Sequence, residues 1–208
     1  MNPNAGTKKA LSVAVFVVAF LGVKYGVQSY RNYQAGANTE KFMNQLQTDA
    51  VQKHPDVSAS EALAQEVTAL AAQKLASEGD AAKRASTAAD MFWGFYFINV
   101  RARPEFCREQ GIDIGRFVEA FETGHVNELA KARSIYARSS VDENTIYAGI
   151  KPHLRKSIVQ DMNDIAAANK VTVREACQLV ADNADTLAAE MHLSKAQPAI
   201  FQALSAAR

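Results

Sequence analysis

Neither sign of charge dominates this chain. Lys and Arg number 23 against 22 Asp and Glu, a net +1, which excludes the strong basic excess of a dedicated nucleic-acid binder. Cysteine is scarce. The two present, Cys107 and Cys177, stand 70 residues apart with no C-x-x-C pair, an arrangement that argues against a redox active site or a structural zinc cluster. Also missing are a Walker A loop, G-x-G-x-x-G, H-E-x-x-H, an EF-hand loop and G-x-S-x-G, so the nucleotide, metalloprotease, calcium and serine-hydrolase chemistries those motifs carry have no support. Lipid attachment lacks its signals too: Asn2 stands where myristoylation needs glycine, and no cysteine lies near either end. No stretch shows sustained period-2 alternation between hairpin turns, which excludes a sheet as the main architecture. There is no internal repeat and no low-complexity linker.

What remains is an apolar, helix-patterned chain. Hydrophobic residues make up 48% and charged residues 22%, a balance that buries a core and is unlike disorder. Its one unbalanced piece comes first: residues 1–37 hold Lys8, Lys9, Lys24 and Arg31 and no acidic side chain. Within it, Ala10 to Val23 runs fourteen residues without a charge. That run alone is short for a membrane span, but Lys24 can snorkel along its aliphatic stem, and Tyr25, Tyr30 and Tyr33 are the aromatic type that collects at headgroup depth. Leu11 to Tyr30 is twenty residues, about 30 Å of helix at 1.5 Å per residue, enough to cross the hydrocarbon layer.

The reading is a single N-terminal transmembrane helix, a signal-anchor, with Lys24, Tyr25, Tyr30, Arg31 and Tyr33 at the membrane interface and the bilayer contacted through residues 11–30. A cleaved signal peptide competes with it. The A-x-A-like site at Ala35-Gly36-Ala37 lies far past the apolar core, beyond Lys24 and Arg31, which is poor placement for cleavage. Lys8 and Lys9 favour an N-terminus inside and a C-terminal domain outside, facing the periplasm of a bacterial-type inner membrane. Gly22 and Gly26 form a small-xxx-small pair at which two such helices could touch.

The body reads as an irregular multi-helix bundle, so the fold class expected is all-α. Residues 1–9 form a tail, 10–33 the anchor and its interfacial flank, 34–57 a tether or first helix, and 58–208 the bundle. Ser58 with Glu61 makes a capping box, after which Leu63, Val67, Leu70, Ala71 and Leu75 line one face, and Gly79 is the expected stop. A second helix is expected from about Asp80 to Ala102, ending before Pro104. Pro104 then opens a short helix with Phe106 and Cys107 that closes near Gly111.

Asp113 caps a helix whose inward face is Ile114, Phe117, Val118, Phe121, Leu129 and Tyr136. Asp142 starts another through Ile146, Tyr147, Ile150, Leu154, Ile158, Met162 and Ile165, which Gly149 and Pro152 are expected to kink or divide. Thr172 and Glu175 form a second capping box before Ala176, Val180, Ala184, Leu187 and Met191, and Ser194 is expected to cap a last helix ending near Ala207. The stretch from Met91 to Ile98 is apolar on every side of a helix and reads as the central hub, with an apolar ligand pocket as the alternative.

Two site candidates follow. In an oxidising compartment Cys107 and Cys177 are disulfide candidates, the closed loop being worth about 4 kcal/mol in the loop-entropy model; two buried thiols are the alternative. Glu122-Thr-Gly-His125 matches one copy of the Glu-x-x-His element of di-iron bundles, but no second copy exists. His125 therefore reads first as a core histidine between solvated glutamates, and second as a proton-sensing or metal site. Asp161/Asp164 and Asp182/Asp185 read as surface pairs, and Arg101, Arg103, Arg108 and Arg116 as a mixed-charge solvated face.

The functional expectation is a non-catalytic, membrane-anchored scaffold of the cell envelope, partnered by other proteins or by its own copies, without nucleic acid and without a catalytic, cofactor or metal site. The alternatives are a binding module for a lipid or small apolar molecule, and a metal-dependent bundle enzyme.

Overall fold

The computed structural model describes residues 45–57, 59–137 and 142–207. Throughout these the chain is helical, without a strand. The expected anchor, its interfacial side chains Lys24, Tyr25, Tyr30, Arg31 and Tyr33, the Gly22/Gly26 pair and the cap Ser58 lie outside the described residues. No helix among the described residues is long and apolar enough to cross a membrane.

Helix α1 covers residues 45–53 and sets Leu46 and Ala50 into the core. Helix α2 (Ala59–Ser77) buries Leu63, Val67, Ala71 and Leu75, with Ala62, on the face expected from their spacing. Its C-terminal carbonyls are covered by Arg84, whose guanidinium donates to Leu75 O (3.1 Å) and Glu78 O (2.7 Å). A basic side chain at this end also meets the helix dipole favourably.

Asp80 caps α3 (Ala81–Phe97) by accepting from Lys83 N. From Met91 to Ile98 every residue is buried, as an element apolar on all sides must be. Trp93 stacks on Phe97 at 5.1 Å between centroids, and Tyr96, Phe92 and Tyr136 meet it edge-on or tilted. The segment is a packed hub.

The helix does not end before Pro104. It passes through a π turn, Ile98–Ala102, in which Arg103 N–H donates to Ile98 O five residues back, and continues as α4 (Arg103–Glu109). Proline cannot donate to the carbonyl four residues before it and its ring crowds that group; widening the preceding turn by one residue relieves both problems without breaking the rod.

Helix α5 (Gly115–Gly124) and α6 (Val126–Tyr136) come next, then α7 (Glu143–Asn169), α8 (Val173–Asp182), α9 (Ala184–Glu190), α10 (Leu193–Ala196) and α11 (Pro198–Ser205). Asp142 caps α7 through Asn144 N and Thr145 N, and Thr172/Glu175 form the complete reciprocal capping box of α8. Pro152 does not divide α7, which runs unbroken through it. Both Pro152 and Ala148, whose carbonyl loses its helical partner, are exposed, so the vacant acceptor costs little on this face. Ser194 is not the cap of one long last helix: His192 caps α10, and Gln197 separates it from α11.

Packing follows the short connections. α5 lies along α9, α7 along α8, and α11 across α3, α2 and α6, while α6 also covers α3. Helices α4 and α7 end in the same turn. Ile112 N donates to Cys107 O and Val171 N to Ala166 O, both at 2.9 Å, with Gly111 (φ 74°) and Lys170 (φ 54°) in the left-handed region. Lysine carries there the steric cost that glycine avoids. Lys170→Gly should therefore raise unfolding free energy by about 0.5–1 kcal/mol, after the larger unfolded-state entropy of glycine is set against the relief. Urea denaturation measures it, and an unchanged or lower midpoint contradicts the account.

Candidate functional site

The two cysteines are joined. Cys107 on α4 and Cys177 on α8 form a disulfide across 70 residues, with Cα atoms 5.5 Å apart, and both are fully buried.

The other sequence candidate, His125, sits at the break between α5 and α6 and is completely buried. The break follows from its side chain. The ring's Nδ1 lies 2.7 Å from Phe121 O, the carbonyl an α-helical amide at 125 would use, and the amide itself turns to Glu122 O. A carbonyl only accepts, so Nδ1 carries the proton. Nε2 then holds the ring's lone pair, and it accepts from Leu193 N at 2.9 Å, 68 residues away. These two partners select the neutral Nδ1–H tautomer.

Aromatic rings enclose this imidazole. Phe121 stacks on it at 4.1 Å and His192 at 5.0 Å, with Phe95 edge-on at 5.6 Å. Burial pushes its pKa from 6.5 down to about 4, with the neighbouring His192 acting in the same direction and the Phe121 carbonyl against it. Glu122 does not join His125. Its carboxylate accepts from Tyr96 OH at 2.6 Å, and burial beside that carboxylate holds the phenol above its ordinary range. The Glu-x-x-His spacing therefore brings no pair of metal donors together, and the imidazole lone pair is already committed. Glu128, expected to be solvated, is buried to 8% exposure. No group of three or more His, Cys, Asp or Glu among the described residues is arranged to hold a metal ion.

A second polar centre was not legible as such. Arg103 and Asp161, read from sequence as solvated, are both fully buried. Arg103 Nη2 lies 2.6 Å from Asp161 Oδ2, Nη1 is 3.3 Å from Met162 Sδ, and Nε is 3.4 Å from Asn99 Oδ1. Asn99 in turn donates to Phe95 O at 2.8 Å. Asp161 Oδ1 accepts no hydrogen bond among the described residues. Desolvation drives the carboxyl's pKa up and the guanidinium's down, and the attraction between the two opposes each shift. The available signal was Asp161 itself, which falls three after Ile158 and four before Ile165 on the apolar stripe of α7.

The remaining members of the basic group, Arg101, Arg108 and Arg116, do lie at the surface, where Arg155 and Lys151 also make mixed-sign contacts. Arg116 pairs with Asp185, Arg155 is bidentate on Glu109, and Lys151 reaches Glu105 at 2.9 Å, which also takes the Tyr147 hydroxyl. Arg101 lies over the Tyr147 ring at 5.6 Å. Exposed pairs of this kind contribute little each.

The buried pair should behave differently from the surface ones. Arg103→Met or Asp161→Leu alone should cost about 3–5 kcal/mol, because each strands the opposite charge in the core. The double variant should return to within about 1 kcal/mol of the parent or exceed it. A four-member denaturation cycle reads this directly, and additive losses would rule out a desolvated pair. Comparison with known proteins adds no relative: no family model, no curated protein and no solved structure matches this chain.

Proposed function

We propose that this chain is a non-catalytic interaction or scaffold protein of the cell envelope, anchored in the membrane through residues 11–30. Its helical domain lies on the oxidising side and docks with other proteins of a larger assembly or with further copies of itself. The observation that carries the reading is the buried Cys107–Cys177 bond. A disulfide between cysteines so far apart in sequence, both sealed from solvent, is formed as the chain folds, and such bonds persist in oxidising compartments.

The apolar run with its basic start supplies the route of export and the tether. His125 bonds both of its ring nitrogens to backbone, and rings of the Phe92–Phe97 segment pack on one another. The lining that a lipid-binding module would need is thus occupied by the protein's own side chains.

In intact cells a membrane-impermeant maleimide should label neither cysteine until the protein is both denatured and reduced. The full-length chain should stay in the membrane through a carbonate wash and leave it in detergent. Release by carbonate alone overturns the anchor, and thiols found reduced in freshly quenched cells overturn the compartment. Crosslinking in intact membranes should then recover a discrete complex. The bond also carries stability: Cys107→Ala with Cys177→Ala should lower unfolding free energy by about 4 kcal/mol, measured by urea denaturation of the variant beside the oxidised parent.

A further inference from the structure

We propose that His125 and His192 form an acid-labile clasp on the C-terminal helices, so that protonation of the buried imidazole frees α10 and α11 from the rest of the domain. The geometry is specific. Leu193 N–H is the first amide of α10, and His125 Nε2 accepts from it across 68 residues at 2.9 Å. A proton on Nε2 replaces that acceptor with a donor, so two N–H groups face each other in a site closed to water. The ring immediately behind is His192, stacked at 5.0 Å and 18° from parallel. His192 Nδ1 in turn accepts from Ser194 N at 3.3 Å and lies 2.8 Å from Ser194 Oγ, so the same segment is held by two imidazoles in contact. Phe201 of α11 meets the outer ring at 6.2 Å.

No neighbouring charge is placed to compensate an imidazolium. On α3 the titratable groups are Lys83 and Arg84 in its first turn, Arg84 being bonded to Leu75 O and Glu78 O, and Asp90 and Tyr96, bonded to Tyr136 and to Glu122. On α9 and α10 they are Asp185, paired with Arg116, and Glu190, paired with Lys195. Helix α11 has none. On the flanking α5 and α6, Glu122 is committed to Tyr96 and Glu128 is itself buried. What opening exposes is apolar: Leu193, Ile200 and Leu204 are at most 1% exposed in the closed domain, and α11 covers α2, α3 and α6.

The sign of the pH effect follows from linkage. The clasped ring takes up its proton near pH 4, whereas the released ring does so at its ordinary 6.5. Between those values the open form binds more protons, so closure is complete above 6.5 and weakens as pH falls toward 4. At pH 5.0 the open fraction should be about 30-fold larger than at pH 7.5.

Hydrogen exchange by mass spectrometry on the full chain, corrected for intrinsic rates, tests this at the two pH values. Peptides spanning 193–205 should open about 30-fold more at pH 5.0, while those of α3 and α7 keep their protection. In His125→Gln, whose amide can still accept from Leu193 N but does not titrate, that acceleration should fall below about threefold, with the linkage term removed. Equal acceleration in every helix overturns the proposal, as does an unchanged acceleration in the variant. Should the variant fail to fold, the wild-type His125 ring titrated by NMR decides. A midpoint below 5 shared by the Leu193 amide supports the clasp, and a midpoint near 6.5, or a Leu193 amide that does not follow, sinks it.

Discussion

The constraint on which the rest of this domain depends is that α3 is buried on every side from Met91 to Phe97. A helix that presents apolar surface all round cannot lie at an edge, so other elements must enclose it, and each of those need be apolar on one stripe only. That is the observed division of labour. Helices α6 and α11 cover α3 directly, and α7 reaches it while covering the π turn that follows. The rings set the spacing: Trp93 lies against Phe97 on its own helix and Tyr136 on α6, and Phe97 lies against Tyr147 on α7. Three tyrosines at the rim keep their hydroxyls on carboxylates, Tyr96 on Glu122, Tyr136 on Asp90 and Tyr147 on Glu105, so the hub is apolar inside and bonded at its margin.

Four of the polar side chains that enter this interior are handled in one recurrent way. Asn99 donates to Phe95 O, Asn169 to Ile165 O, Asn183 to Leu179 O and His125 to Phe121 O. Each satisfies itself on the carbonyl four residues back, the group that the helix would otherwise use for its own ladder. All four sit where regular α-helix ends or changes: Asn99 in the π turn, His125 and Asn183 at breaks between helices, and Asn169 as the last residue of α7. At His125 and Asn183 this competition for a backbone acceptor coincides with a break between helices. Pro104 and Pro152 both lie within continuing helical rods.

This explains which features were legible in the sequence. The all-α class, the hub, the Thr172/Glu175 capping box and the buried stripe of α7 rest on periodicity and on local cap chemistry, and both act within a few residues of one another. Asp142 and Thr172 stand where their side chains reach the next turn, and they cap there. The breaks at His125 and Asn183 were not legible, because a histidine or asparagine on an apolar stripe looks the same whether it bonds its own helix or a neighbour. Arg103 was missed because it stands among charges that do face water, and Asp161 because it reads as one of a pair with Asp164 although it lies on the apolar stripe; the pairing of α4 with α7 buries both. The disulfide lay between. Its two members could be named, while their meeting depended on how α4 and α8 are placed.

That placement turns on the π turn. Successive residues of an α-helix advance by about 100°, so one extra residue in the turn at Ile98–Ala102 rotates everything after it by that amount relative to α3. Arg103 and Cys107, four apart and therefore on one stripe of α4, are carried by this rotation toward α7 and α8, where Asp161 and Cys177 receive them. The ion pair and the covalent bond thus fasten the same face of one short helix to two different partners. Asn99, bonded to Phe95 O and lying 3.4 Å from the Arg103 guanidinium, links the turn to the pair that depends on it. A buried charge pair is a poor source of net stability. Here its position explains its presence better than its energy does, since the phase of α4 that admits Asp161 is also the phase that brings Cys107 within bonding reach of Cys177.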